Sequence, residues 1–276
     1  MKIKSLYFFG FFFCYFLICI SYASIQNDIQ LDPIGRVIKY PGKNEIDCPE
    51  QNSNTAVILA IGQSNSANHG SYRFNTNYPY QVFNYFEGKC YIASSPLLGS
   101  TGIDGEFITP MADELIENHD YEKIIIISFG IGGTTINEWE KGGYLNNIMQ
   151  SILSKSKYKV THVIWHQGES DFALHTTTEL YRSRLSSLID SLRNPGSLFP
   201  KFYYAIASKC GENIEWTPIN PISIAQKSVE NKKHNIFIGA NTDELLLYDD
   251  RDLGRCHFSK SGQIKTANSF FNAIHR

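Results

Sequence analysis

The chain has 276 residues, 42% of them hydrophobic and 13% aromatic, and a formal net charge of −2. That near-neutral balance, without a basic stripe, argues against a nucleic-acid binder. Beyond a short leader, the length suits one large α/β domain over 24–276, and no repeat, low-complexity linker or charge run divides it.

Residues 1–23 have the pattern of a secretory signal. Lys2 and Lys4 give a positive start, Leu6 to Ile20 are almost wholly apolar, and Ser21-Tyr22-Ala23 offers small residues for a cut before Ser24. The apolar run is short for a membrane span; an uncleaved anchor is the alternative reading. Cys19 follows the bulky Ile18, which counts against lipid modification. The leader predicts an exported protein, periplasmic or extracellular, with no membrane attachment beyond it. Cys48, Cys90, Cys210 and Cys256 lie past the leader. An even number in an exported chain predicts two disulfides. Cys48–Cys90 with Cys210–Cys256 is the favoured pairing, because each bond closes a shorter loop around a motif. The absence of a C-x-x-C pair counts against zinc.

Residues 24–54 read as an irregular lead-in. Val57 to Ile61 is then an apolar run of strand length, suited to a strand buried on both faces. It ends at Gly62, followed by Gln63-Ser64-Asn65. Glycine permits a sharp exit from the sheet. Ser64 would stand at the strand's carboxyl end, where open α/β sheets place their ligands. It is a candidate nucleophile; the alternative is an ordinary N-cap serine.

Residues 70–108, with several Asn, Pro and Gly, read as a long irregular loop shaping one wall of a cleft. A helix over 109–119 follows, with Thr109 as cap and Pro110 in the first turn. Lys123 to Phe129 is a second strand, ending in Gly130-Ile131-Gly132-Gly133-Thr134. After a helix near 144–156, Val160 to Trp165 is a third strand, ending in His166-Gln167-Gly168-Glu169-Ser170-Asp171. Helices near 177–193, 219–231 and 261–274 alternate with strands at 201–207 and 236–240. Alternating strands and helices predict a parallel sheet covered on both faces. Right-handed crossovers put every strand's carboxyl end on one rim.

The residues gathered on that rim suit acyl transfer. Ser64 would attack a carbonyl, and His257, just before the last helix, would take its proton and return it to the leaving alcohol. The oxyanion needs fixed donors. The Ser64 N–H, a glycine N–H near Gly133 (or Gly132) and the Gln167 side-chain amide are candidates. His166, Glu169 and Asp171 have the residue types of a metal site, or alternatively cap the next helix and anchor its loop. His69, His119, His162, His175, His234 and His275 have no partner motif.

The GQSN, GGT and HQGESD blocks, with a late HFS, resemble the SGNH-hydrolase superfamily, in its sialate O-acetylesterase and acetylxylan esterase branch (carbohydrate esterase family 6-like). The resemblance covers about 56–275. It implies a three-layer α/β/α sandwich with a central parallel, flavodoxin-like sheet. It implies Ser64 as nucleophile, His257 as base, and Gly133 and Gln167 with the Ser64 N–H as oxyanion hole. It requires no metal and no cofactor, and makes the partner an acetylated carbohydrate. The α/β-hydrolase fold is a poorer match, since Gly62-Gln63-Ser64-Asn65-Ser66 lacks the second glycine of G-x-S-x-G. One departure stands out. The superfamily usually has an aspartate three residues before the histidine, where this chain has Gly254. Asp252, five residues before, is the expected triad acid, with Glu169 or a bare Ser–His dyad as alternatives. The activity expected is removal of O-acetyl groups from a glycan. A silent carbohydrate-binding scaffold and a sugar O-acetyltransferase are the rival readings, and oligomeric state is open.

Overall fold

A computed structural model describes residues 28–193, 199–212 and 214–276. The leader at 1–23 lies outside the described residues. Two short strands, β1 (Gln30–Leu31) and β2 (Val37–Lys39), pair antiparallel ahead of the main sheet. The main sheet contains β3 (Glu45–Ile46), β4 (Thr55–Gly62), β5 (Val82–Phe86), β6 (Lys89–Ile92), β7 (Lys123–Gly130), β8 (His162–His166), β9 (Lys201–Ile206) and β10 (Ile236–Asn241). Its order is β10-β9-β8-β4-β7-β5-β6-β3. From β10 to β5 every neighbouring pair is parallel. β6 and β3 extend the β5 edge in antiparallel fashion.

The helices are α1 (Ile108–Glu117), α2 (Ile136–Trp139), α3 (Tyr144–Lys155), α4 (Glu169–Ala173), α5 (Thr178–Ser191), α6 (Pro221–Ser228), α7 (Thr242–Leu245) and α8 (Lys260–His275). The period-two geometry of a strand divides them into two outer layers. Val57, Leu59 and Ile61 face a cluster with Trp139, Leu145, Tyr181, Leu185 and Ile222, from α2, α3, α5 and α6. Ala56, Ile58 and Ala60 face the opposite cluster with Met111, Leu115 and Phe270, from α1 and α8. The small alanines on that face let the bulky Phe107 and Phe270 stack close to the sheet. Burial of each large aliphatic side chain contributes roughly 1.5–3 kcal/mol, and both faces of β4 are fully buried. The fold is the expected three-layer α/β/α sandwich.

Three expectations need correction. Residues 24–54 are not wholly irregular, since β1, β2 and β3 fall there and β3 joins the main sheet through β6. Residues 70–108 are not wholly irregular, since Val82 to Ile92 form a hairpin, β5–β6, whose turn residues Glu87 and Gly88 both have positive φ (47° and 86°). Helix α1 is not capped by Thr109. The Glu106 carboxylate accepts from the Thr109 N–H at 2.8 Å and the Thr109 hydroxyl at 2.6 Å. Both favoured disulfides, Cys48–Cys90 and Cys210–Cys256, are formed.

Candidate active site

The strand order reverses around β4, which has β7 on one side and β8 on the other. Such a switch point opens a crevice at the strands' carboxyl ends. Gly62, Gly130 and His166 end the three strands in register there. Gly62 has φ 129°, and a Cβ on it would meet the His166 carbonyl oxygen at 2.1 Å. Only glycine fits that exit. The chain then enters a single 3-10 turn, Ser64–Ser66.

The side chains of this turn stitch the rim together. Gln63 accepts from the Ser170 N–H at 3.2 Å and thereby caps α4. Asn65 donates from one amide nitrogen to Glu169 Oε1 (2.8 Å) and to the Cys256 carbonyl (3.1 Å). Because Cys256 precedes His257, Asn65 ties the Ser64 turn to the histidine segment. Ser64 itself is 5% exposed. Among the described residues its hydroxyl carries no hydrogen bond, and none joins it to His257.

The sequence spacing of Asp252 and His257 is explained by the local backbone. Residues 251–258 form a tight hairpin-like loop. Arg251 and Phe258 make an isolated antiparallel bridge, and the Asp252 N–H donates to the His257 carbonyl at 2.8 Å. Arg255 takes φ 58° to close it. Asp252 and His257 thus become cross-strand neighbours, with Asp252 Oδ2 3.5 Å from His257 Nδ1. Asp250 faces elsewhere. It binds Lys265 and Ser261, each at 2.7 Å, and anchors the start of α8.

The candidate donors divide. The Gly132 N–H is engaged by Thr101 Oγ1 at 2.8 Å. The Gly133 N–H, at a residue with φ 74°, and the Ser64 N–H have no partner among the described residues. Gln167 departs from expectation. Its amide nitrogen donates to Asp171 Oδ2 (2.6 Å) and to the Thr134 carbonyl (3.1 Å), and its amide oxygen accepts from the Tyr181 hydroxyl (2.9 Å). Fully buried, it braces the Gly133-Thr134 turn from beneath instead of presenting a free N–H. Asp171 also accepts from the Ile136 N–H (2.8 Å) and the Thr176 hydroxyl (2.8 Å), which fits the loop-anchoring reading.

Beneath the rim lies a buried polar cluster. Burial pushes the Glu169 carboxyl up from the usual range. Burial, with Arg251 nearby, pushes His166 down to about 3, so its ring is neutral 3.6 Å from Glu169. Arg251 donates to the carbonyls of Cys256 (3.0 Å), Lys209 (3.1 Å) and Thr242 (3.2 Å). His69, unassigned from sequence, packs its ring 5.2 Å from that of His257 and meets Thr101 Oγ1 at 3.2 Å. Burial, then the neighbouring His257, lowers it to about 4. No sequence signal marked His69 or Arg251, because each gains its role only when 65–70 and 251–258 meet. A separate cavity of about 520 Å³, lined by Arg36, Tyr85, Phe86 and the side of α3, includes none of these residues.

At the switch point of this three-layer sandwich lie a hydroxyl, an imidazole–carboxylate pair and open backbone N–H groups, the group types that acyl transfer uses. The chain belongs to the carbohydrate esterase, sialic acid-specific acetylesterase family, whose model matches residues 54–276. A curated relative, the "Probable carbohydrate esterase At4g34215" of Arabidopsis thaliana, is 34% identical over 97 residues, which are 33% of this chain and 37% of that protein. The matched stretch thus spans little more than a third of the relative's length. The crystal structure of the Arabidopsis thaliana protein AT4G34215 superposes with a TM-score of 0.63 at 20% identity, covering 80% of this chain and 98% of that one. NanS superposes at 0.52 with 15% identity, over 80% of this chain and 96% of its own. Both likenesses concern the fold.

Proposed function

We propose that the protein is an exported serine esterase that removes O-acetyl groups from a carbohydrate. Family membership supports the acyl chemistry and the carbohydrate class. The two disulfides support export, since such bonds persist in oxidising compartments. The observation that carries the mechanism is the Asn65 bridge to the Cys256 carbonyl, which brings the Asp252–His257 pair up to the Ser64 turn.

In this reading His257 removes the Ser64 proton as Oγ attacks the acetyl carbonyl. The Ser64 and Gly133 N–H groups receive the oxyanion. The intermediate collapses, His257 returns the proton to the sugar oxygen, and the acetyl group stays on Ser64. Water, deprotonated by His257, then releases acetate and restores the serine. Asp252 holds the imidazole tautomer and stabilises the imidazolium. Substrate closes the gap between Ser64 and His257, as catalytic hydrogen bonds often tighten only in the complex. Acetate release from a panel of acetylated glycans tests the reading. Wild type should turn over at least one of them, and Ser64→Ala should lose at least about 10³-fold with its melting temperature kept. Equal activity in both proteins would overturn it.

A further inference from the structure

Cys256 is the junction of the whole site. Its carbonyl accepts from Asn65 (3.1 Å) on the serine side and from Arg251 (3.0 Å) on the buried side. Its N–H donates to Asp252 Oδ1 at 3.2 Å. Its sulfur is bonded to Cys210, in the segment that follows β9. The loop that carries Asp252 and His257 is therefore gripped from two directions. From within, Arg251 joins it to the carbonyls of Lys209 and Thr242. From outside, the Cys210–Cys256 bond holds it, with the Gly211 N–H on the Arg255 carbonyl at 3.1 Å. Between these grips the tip is open to solvent: Leu253, beside Asp252, is 96% exposed. The two disulfides differ in access. Cys210 is exposed and Cys256 half-buried, whereas in the other bond Cys48 is half-buried and Cys90, in β6, is fully buried.

Resting on the esterase reading, we propose that the Cys210–Cys256 disulfide is a positioning device for His257, and that opening it switches the enzyme down while the sheet stays folded. The reductant is a dithiol. One of its thiolates attacks Cys210 Sγ and expels the Cys256 thiolate, which takes a proton. The second dithiol sulfur then attacks the mixed disulfide and releases Cys210 as a thiol. The reagent leaves as a cyclic disulfide, having given two electrons and two protons to the protein. Access favours this bond, because exchange needs an in-line approach to an exposed sulfur. Once it is cut, the His257 segment loses its covalent tie and keeps hydrogen bonds alone: those within the loop, those of Arg251, the Asn65 bond to the Cys256 carbonyl and the Gly211 N–H on the Arg255 carbonyl. A displacement of about 1 Å at a catalytic group can cost on the order of 10²-fold.

The test uses the oxidised exported protein, residues 24–276 with its four cysteines, and mild dithiothreitol. Alkylation and mass spectrometry identify which cysteines have opened. With only Cys210 and Cys256 alkylated, kcat on an acetyl ester should fall at least about tenfold with KM within about threefold. Hydrogen exchange of peptides over 249–260 should speed up, while the β4, β7 and β8 peptides hold their protection. Reoxidation of reduced, unalkylated protein should restore both readings, and Cys210→Ser with Cys256→Ser should mimic the reduced state. Unchanged kcat and unchanged exchange after verified opening would overturn the proposal, as would exchange rising evenly across the sheet. An oxidised wild type that hydrolyses no acetyl ester would instead sink the esterase reading, and the exchange measurement would still decide whether the bond holds the loop.

Discussion

Asp252 and Glu169 are the two carboxylates near His257, and their surroundings assign them different work. Asp252 is a third exposed and lies 3.5 Å from His257 Nδ1. Glu169 is buried, its pKa raised by burial, with one oxygen held by Asn65 and the other without a hydrogen-bond partner among the described residues. A buried carboxyl of that kind favours the neutral form and is poorly suited to steady an imidazolium. Asp252→Asn should therefore lower kcat at least about tenfold with little change in KM. Steady-state kinetics that found Asp252→Asn unaffected and Glu169→Gln dead would transfer the role. Gln167 offers a second comparison at this scale. As a brace it holds Asp171 and the Thr134 carbonyl, so Gln167→Met should cost about 1–3 kcal/mol in urea unfolding. A free oxyanion donor would instead cost about 10²–10³-fold in kcat with stability untouched. The sequence marked Gln167 as polar and well placed on the rim. It gave no sign that Tyr181, fourteen residues on, and Asp171 would occupy its amide.

At the scale of elements, the readable pieces were those whose pattern is local. The run from Val57 to Ile61 and the isoleucines of Lys123 to Phe129 can bury both faces only as central parallel strands, and they do. The β5–β6 hairpin was harder, because Val82-Phe83-Asn84-Tyr85-Phe86 is hemmed in by turn residues on both sides. Its signal was the Glu87-Gly88 pair between two short apolar runs, a two-residue loop whose positive φ angles match the twist of paired strands. Short edge pieces such as β3 are set by tertiary pairing alone. The glycines of the rim were legible as breaks but not as close approaches. Gly168 has φ 148°, and a Cβ there would meet the Ala207 carbonyl oxygen at 2.0 Å and Gln226 Nε2 at 2.7 Å. Gly168→Ala must shift β8 against β9 and α6, so we expect a loss of about 3 kcal/mol or more, read from the denaturation midpoint. A change under about 0.5 kcal/mol would show that the HQGE turn relaxes freely.

Across the whole molecule, the same burial that shapes the rim sets its response to acid. Three histidines have lowered pKa values: His69, beside His257 at the rim, and His162, in β8, at about 4, and His166, also in β8, at about 3. Burial is the first cause for each. Unfolded histidine titrates near 6.5, so as the pH falls from there toward 4 the unfolded chain binds protons that the native chain refuses. Stability is then highest above about 6.5 and declines toward 4. The buried carboxyls Glu106 and Glu169, raised by burial, act with the opposite sign, losing stability as the pH rises through their folded values. A single remote variant separates the two effects. His162 lies far down β8 from the rim, between the Tyr121 hydroxyl (3.0 Å) and Thr161 Oγ1 (2.8 Å). His162→Gln removes one titration and leaves the others in place. Between pH 6.5 and 5 the wild type should lose on the order of 2 kcal/mol more than His162→Gln, measured by urea unfolding at each pH. Parallel curves for the two proteins would mean that His162 accepts its proton in the folded sheet.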